Sequence, residues 1–295
     1  MHNFKIAERA KIWFSISLII IVVGLGFMFT RGLNFGIDFI GGTMIQINME
    51  KDFNKADVDT IIKKYVPADE FISTKANSNK ELDIKVKLNA IKQENVTKLF
   101  NDIKTKYNLK DKQPVSTENI GATIGSELER KAIVSLSVSM ILMLLFIGIR
   151  FEFRFGAAAI LALVHDVLIT LSVYAIGYLT IDSAFIAAIL TIIGYSISDT
   201  IVIFDRIREN QKKLRKLSAT ELADVSISQT LKRSIYTVTT TVVATVCVHI
   251  FVPAVRNFTI PLIVGILSGC YSSIFIASPF WVILKNRANK KAAAQ

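Results

Sequence analysis

Between Arg31 and Lys131 there is no cysteine; the chain's two, Cys247 and Cys270, fall in apolar stretches further on. That segment must therefore fold without disulfides, and cysteine usage says little about its redox compartment. Histidine is scarce too, three in 295 residues. His165 and His249 have no second ligand at metal-binding spacing, so both read as packing residues and no metal site is expected. The same segment lacks any His, Cys or paired-carboxylate cluster suited to catalysis, so the chain does not read as an enzyme, no catalytic residue is named and no cofactor is implied. Missing as well is a small-x-small cleavage pattern after the first apolar run, where Phe27-Met28-Phe29-Thr30-Arg31 follows. The basic lead of Lys5, Arg9 and Lys11 with its apolar core thus reads as an uncleaved span rather than a signal peptide.

What is present is apolar sequence in long blocks. Mean hydropathy is +0.45 and 52% of residues are apolar. Runs close to the ~20 residues that cross a bilayer occur at 12–29, 132–149, 155–179, 184–204, 234–252 and 260–284, which predicts an α-helical membrane protein with six spans. The formal charge of +11 suggests a nucleic-acid binder until it is located. The N-terminus before Ile12, the 150–154 turn, the 205–233 loop and the C-terminal tail hold 17 Lys or Arg against 6 acids, whereas the 31–131 segment holds 17 against 15. By the positive-inside rule the excess marks the cytoplasmic side, with both termini on it. Bilayer topology accounts for the charge, and no nucleic-acid partner is expected.

Three parts follow: residues 1–30, a cytoplasmic N-terminus and first span; 31–131, an exported insert; and 132–295, the remaining spans with a basic cytoplasmic loop at 205–233 and a cytoplasmic tail. In the insert, period-2 alternation predicts strands at 43–49, 70–75, 81–88 and 114–120. Helical spacing of apolar residues predicts helices at 54–65 and 93–107. The order βαββαβ is the split βαβ of ferredoxin-like α+β domains, a four-stranded sheet with both helices on one face. An open sheet edge there could accept an extended peptide by strand addition. Gly36, Gly41 and Gly42 precede the insert and Gly121 and Gly125 follow it, giving glycine-bearing joints about which it could tilt as a rigid body.

The organising stretch is Ile193 to Arg206, which sets Asp199 inside an apolar span. An Asp at the centre of a spanning helix costs roughly 2.5 to 3.5 kcal/mol, so such a residue is usually paired, wet or part of an ion path. Tyr195 and Asp199 share one helix side, with Ser198 beside them. Asp166 in the third span lies about 18 Å of helix from Arg154, near mid-membrane. In the loop, 206–217 reads as an interfacial segment drawn to anionic membrane lipid. Ser218-Ala219-Thr220-Glu221 then fits a capping box that starts a helix running unbroken into the fifth span. That helix carries Arg233, Thr237, Thr240 and Thr241 on one face, and an Asp199–Arg233 charge pair is geometrically natural. Either the pair is static and lowers the cost of both charges, or Asp199, Arg233 and Asp166 form a proton relay, since a carboxylate whose surroundings alternate between apolar and arginine-paired can take up and release a proton. In the sixth span Gly265, Ser268, Gly269, Ser272 and Ser273 read as a small-residue packing stripe.

Together, Gly36-Ile37-Asp38-Phe39-Ile40-Gly41-Gly42 after a first span, the βαββαβ insert, the 197–210 stretch ending Phe204-Asp205-Arg206-Ile207-Arg208-Glu209-Asn210, and Ser268 to Ala277 resemble the SecF family. The resemblance covers essentially the whole chain. It implies half of a resistance-nodulation-division transporter in the bacterial inner membrane, an accessory subunit of the Sec translocase. Such a subunit pairs with SecD, works with the SecYEG channel and uses the proton-motive force to draw unfolded preproteins out at a late stage. Asp199 and Arg233 match the family's membrane charges implicated in proton passage. Ile40 departs from the small or hydroxyl residue common at that place, and Ile120-Gly121-Ala122-Thr123 lacks the proline often seen at the returning junction. Other classes remain: a non-transporting scaffold that holds SecD at the channel, or a small-molecule efflux permease of the same superfamily.

Overall fold

The computed structural model of the chain describes residues 5–76, 80–150, 152–252 and 255–293. It divides into two compact units: residues 35–133, and the chain on either side of them.

The first apolar run forms α1 (Ala10–Arg31). The two-residue strand β1 (Asn34–Phe35) and the single turn α2 (Ile37–Ile40) lead to β2 (Gly42–Asn48), α3 (Lys55–Ile62), β3 (Phe71–Ala76), β4 (Glu81–Val86), α4 (Gln93–Tyr107) and β5 (Ser116–Ile120). The sheet order is β3-β4-β2-β5, with every neighbouring pair antiparallel. Alternation in β4 turns Leu82, Ile84 and Val86 to one face. There they close a buried core with Ile45 and Ile47 of β2, Val58, Ile61 and Ile62 of α3, and Val96, Leu99, Phe100 and Ile103 of α4. The Asn54 side chain caps α3 by accepting from Ala56 N at 3.0 Å.

Two of the glycines read as joints serve close approach. Gly42 has φ +133° and pairs with Ile120 inside the sheet, and a Cβ on it would lie 2.3 Å from Val86 O. A Cβ on Gly125 would lie 2.8 Å from Phe39 O. Both positions need a bare backbone whether or not a joint bends there.

The membrane unit is built from α1, the part of α5 (Ala122–Arg150) from Val134 on, α6 (Phe153–Gly177), the two-residue strand β6 (Thr180–Ile181), α7 (Ser183–Lys213), α8 (Ala219–Phe251), α9 (Arg256–Ser272), a π-helical turn (Ser273–Ala277) and α10 (Ser278–Ala293). Among the described residues, six helical runs are long and apolar enough to cross a membrane: α1, α5, α6, α7, α8 and the run from Arg256 to Asn289. Long apolar side chains of α1, α5 and α8 are largely exposed, as expected where lipid or another chain replaces water. Small residues let the packed helices meet: a Cβ on Gly24 would fall 2.2 Å from Ser172 Cβ on α6, and one on Gly265 2.2 Å from Ile192 Cδ1 on α7.

The basic loop corrects one expectation. Residues 206–213 are not a separate interfacial segment but the continuation of α7, which runs unbroken to Lys213. Buried Ile207 extends its apolar stripe, Asn210 donates to Ser226 Oγ at 2.9 Å, and Arg206 to Gln229 Oε1 at 2.6 Å, so tertiary contacts with α8 hold it as helix. Only the turn at Leu214–Leu217 breaks it, before the Ser218–Glu221 capping box opens α8. The sixth apolar run is also irregular: the π turn at its middle had no signal in the hydropathy.

Candidate functional site

The site lies inside the membrane unit, where α6, α7, α8 and α9 bring hydroxyls to two carboxylates. Asp166 is 1% exposed. Its Oδ2 accepts Ser196 Oγ of α7 at 2.6 Å and Ser272 Oγ of α9 at 2.8 Å. Its Oδ1 accepts Ser268 Oγ at 2.7 Å and faces His165 Nδ1 at 3.1 Å. Ser268 and Ser272 stand one turn apart and so share a face. Gly269 between them lets α9 approach α7: a Cβ there would lie 3.0 Å from Ser196 Cβ. The small-residue stripe therefore both seats the helix and supplies the donors.

Asp199, on α7, is 8% exposed. Its Oδ1 accepts Ser234 Oγ of α8 at 2.6 Å. Its Oδ2 is buried with no hydrogen-bond partner among the described residues. Thr200, the next residue, shares a 2.7 Å hydrogen bond with Ser273 Oγ in the π turn.

Arg233 is placed differently from the expected charge pair. Its side chain is exposed, and among the described residues it makes no ion pair. The contact passes instead to its neighbour Ser234, because one residue of helix rotation, about 100°, turns Ser234 inward and Arg233 out. Tyr195 Oη lies 3.3 Å from Thr241 Oγ1, joining α7 to α8. Ser198 is exposed. Thr237, Thr240 and Thr241 return their hydroxyls to α8's own carbonyls, at 3.0 Å to Arg233 O, 3.0 Å to Tyr236 O and 2.9 Å to Thr237 O. They form a hydroxyl face without extending the carboxylate network. His249 is satisfied by Thr259 Oγ1 at 2.9 Å. Among the described residues no group of His, Cys, Asp and Glu could hold a metal ion.

Four partners escaped the sequence reading as ligands of a carboxylate: Ser196, Ser234, Ser268 and Ser272. The last two carried a signal in their four-residue spacing beside Gly265 and Gly269, but that pattern also describes plain helix packing.

The description "Protein export membrane protein SecD/SecF, C-terminal" matches residues 100–287. "SecD/SecF GG Motif" matches residues 26–52, the stretch that holds Gly41 and Gly42. The protein translocase subunit SecF of Acidaminococcus fermentans is 37% identical over 296 residues, covering 98% of this chain and 100% of that one. The protein translocase subunit SecDF of Bacillus subtilis is 35% identical over 307 residues, covering 100% of this chain and 40% of its own. Among solved structures, SecDF from Thermus thermophilus, a translocon-associated membrane protein, superposes with a TM-score of 0.85 at 34% identity over 96% of this chain and 39% of that one. The chain thus matches a free-standing SecF over its full length and spans about two fifths of the fused SecDF proteins. With six apolar helices, a family match over 188 residues and a relative 37% identical from end to end, this multi-pass membrane chain belongs to the SecD/SecF protein-export family.

Proposed function

We propose that the chain is an accessory subunit of the Sec translocase that couples the proton-motive force to late-stage export of preproteins, acting with a SecD partner at the SecYEG channel of the bacterial inner membrane. In this reading both termini and the basic loop are cytoplasmic, and the βαββαβ unit is a ferredoxin-like domain on the far side. The fused SecDF relatives support the SecD partnership, since a single chain there carries both names.

The observation that carries the proposal is the asymmetry of Asp199: one carboxylate oxygen held by Ser234, the other buried and without a partner among the described residues. A buried acceptor left open costs about 1–3 kcal/mol, more for a charged group, so a proton at Oδ2 answers the geometry. Moving one charge through 100 mV releases about 2.3 kcal/mol, enough to bias a two-state equilibrium in a helix bundle. Arg233, on the exposed side of α8, is the countercharge of this relay, and Asp166 is its third member. Gly36, Gly41 and Gly121 lie where the exported domain would bend.

The test is Asp199→Asn in chain reconstituted with its partner and the channel. Export driven by a proton gradient is expected to fall to background, with insertion and partner binding retained. Normal gradient-driven export in that variant would refute the reading. Exchanging the charges, Asp199→Arg with Arg233→Asp, separates a relay from a scaffold in which the pair is structural glue. A scaffold regains activity on the swap and a relay does not. The absence of an Asp199–Arg233 contact already weighs against glue, and an insert confined to residues 31–131 is small for the substrate pockets an efflux permease requires.

A further inference from the structure

A row of hydrogen bonds leads from Asp166 through His165 to α1, and its direction can be fixed from its far end. Trp13 O, on the first turn of α1, is a carbonyl and can only accept, so the Tyr271 hydroxyl 2.9 Å away donates to it. Tyr271 has then used its one proton, and Ser17 Oγ at 3.4 Å must donate to Tyr271 Oη. Ser17 in turn has used its own, so in its 2.9 Å contact with His165 Nε2 it accepts, and Nε2 carries a hydrogen. On the other side of the ring, Nδ1 lies 3.1 Å from Asp166 Oδ1, a contact that also needs a hydrogen between its atoms. An imidazole with hydrogens at both edges facing a carboxylate holds one proton more than a neutral histidine beside an aspartate.

We propose that His165 and Asp166 together bind one proton, held as an imidazolium–carboxylate pair, and that Ser17 and Tyr271 link the pair's proton to α1. The proton sits on the ring because the carboxylate is already an acceptor to three serine hydroxyls, Ser196, Ser268 and Ser272. Tyr271 also stacks on the His165 ring, with centroids 5.8 Å apart and planes 20° apart, which suits a charged imidazole over an aromatic face. When the pair gives its proton to water, Nδ1–H stays on Asp166 and Nε2 becomes an acceptor. Ser17 must then turn its hydroxyl back to the ring, and the Ser17–Tyr271 bond is lost. One proton therefore switches whether Ser17 of α1 bonds to Tyr271 or to the imidazole, while the Tyr271–Trp13 bond between α9 and α1 stays in place.

Of the titratable groups on the elements around the pair, α7 offers Asp199 and Tyr195, with Asp205, Arg206, Arg208, Glu209, Lys212 and Lys213 in its last nine residues; α9 offers Cys270 and Tyr271, with Arg256 at its start; α10 has Lys285 and Arg287, and α6 itself Arg154 and Tyr174. α1 carries no titratable side chain between Lys11 and Arg31, and the π turn none. This inference deepens the proton-coupling reading, but its test reads protonation and not export.

The full chain has three histidines, so 15N-histidine labelling of the protein in lipid bilayers gives three imidazole signals, and His165→Gln assigns the one that matters. At about pH 7 the His165 ring is expected to show both nitrogens protonated. Asp166→Asn should convert it to a neutral ring with one protonated nitrogen, and Ser17→Ala should shift Nε2 while leaving Nδ1 in place. A neutral His165 in the wild type between about pH 5 and 7, or an imidazolium that survives Asp166→Asn, overturns the proposal. If Asp166→Asn does not fold, Ser17→Ala decides: equal movement of both nitrogens, or of neither, overturns it. Asp199→Asn is expected to leave the His165 signal unchanged, so loss of gradient-driven export and loss of this proton site are separate outcomes.

Discussion

A carboxylate inside a helix bundle can be surrounded by donors or left with an open oxygen, and Asp166 and Asp199 take the two options. Asp166 has three serine donors and an imidazole, while Asp199 has one serine and a bare Oδ2. Both residues stand out in the sequence as charges in apolar runs, yet nothing in the linear pattern separates them, because their donors come from helices 30 to 106 positions away. In the insert, Asp83 on the face of the sheet away from the core is pushed up to about 6 from the ordinary 3.8, first by burial and then by Glu81, against the Gln46 hydrogen bond and Lys85. The native state thus binds this proton more tightly than the unfolded chain. Its contribution is fully present below about pH 4 and is lost as pH rises through about 6. Asp83→Asn is expected to remove that slope and to raise the insert's melting temperature at pH 7.5 relative to the wild type. Melts of the full chain, following the insert's unfolding between pH 4 and 8, check it.

At the scale of elements, α8 was the most legible. Ser218 and Glu221 form the capping box expected of them, and the helix runs on from there into the fifth span. α7 was less so: its basic end reads as an interfacial piece because Lys and Arg dominate 206–216, but Ile207 and Asn210 are seated against α8 and keep the helix going. Close approach between helices was hardly legible at all. Gly24 looks like one more small residue in α1, yet a Cβ there would overlap Ser172, with its Cα only 2.6 Å away, so no side-chain rotation makes room. Gly24→Val is expected to separate α1 from α6 and to destabilise the bundle by about 1–3 kcal/mol, the usual range for overpacking. Cysteine crosslinking between α1 and α6 should weaken while that between α7 and α9 persists.

At the scale of the molecule, each unit has its own core, and the two cores differ in kind. The insert closes on a cluster of apolar side chains and buries few polar ones, Thr43, Ser73 and Lys85. The membrane unit buries serines, threonines, two asparagines, a histidine and three aspartates among its apolar residues, an interior in which hydroxyl hydrogen bonds set how the helices meet. Leu99, fully buried in the insert, is a clean probe of this division. Leu99→Ala is expected to cost the insert about 2–5 kcal/mol and to lower its unfolding transition without moving that of the helices. Hydrogen exchange on the full chain would show amides of β2 and β4 opening earlier and amides of α6, α7 and α9 unchanged.

The element order of the insert, the six apolar helices and the two aspartates inside apolar runs, Asp166 and Asp199, were determined by the sequence alone. Each depends on a local quantity: period-2 or 3.6-residue alternation, the length of an apolar run, or a charge within one. Which donor meets which acceptor was decided only by the tertiary structure. Arg233 and Ser234 are neighbours in the chain and equally polar, but about 100° of helix rotation gives Asp199 the serine and leaves the arginine outside. Ser268 and Ser272 reach Asp166 because Gly265 and Gly269 allow α9 to lie close against α7, and no periodicity encodes the distance at which two helices stop.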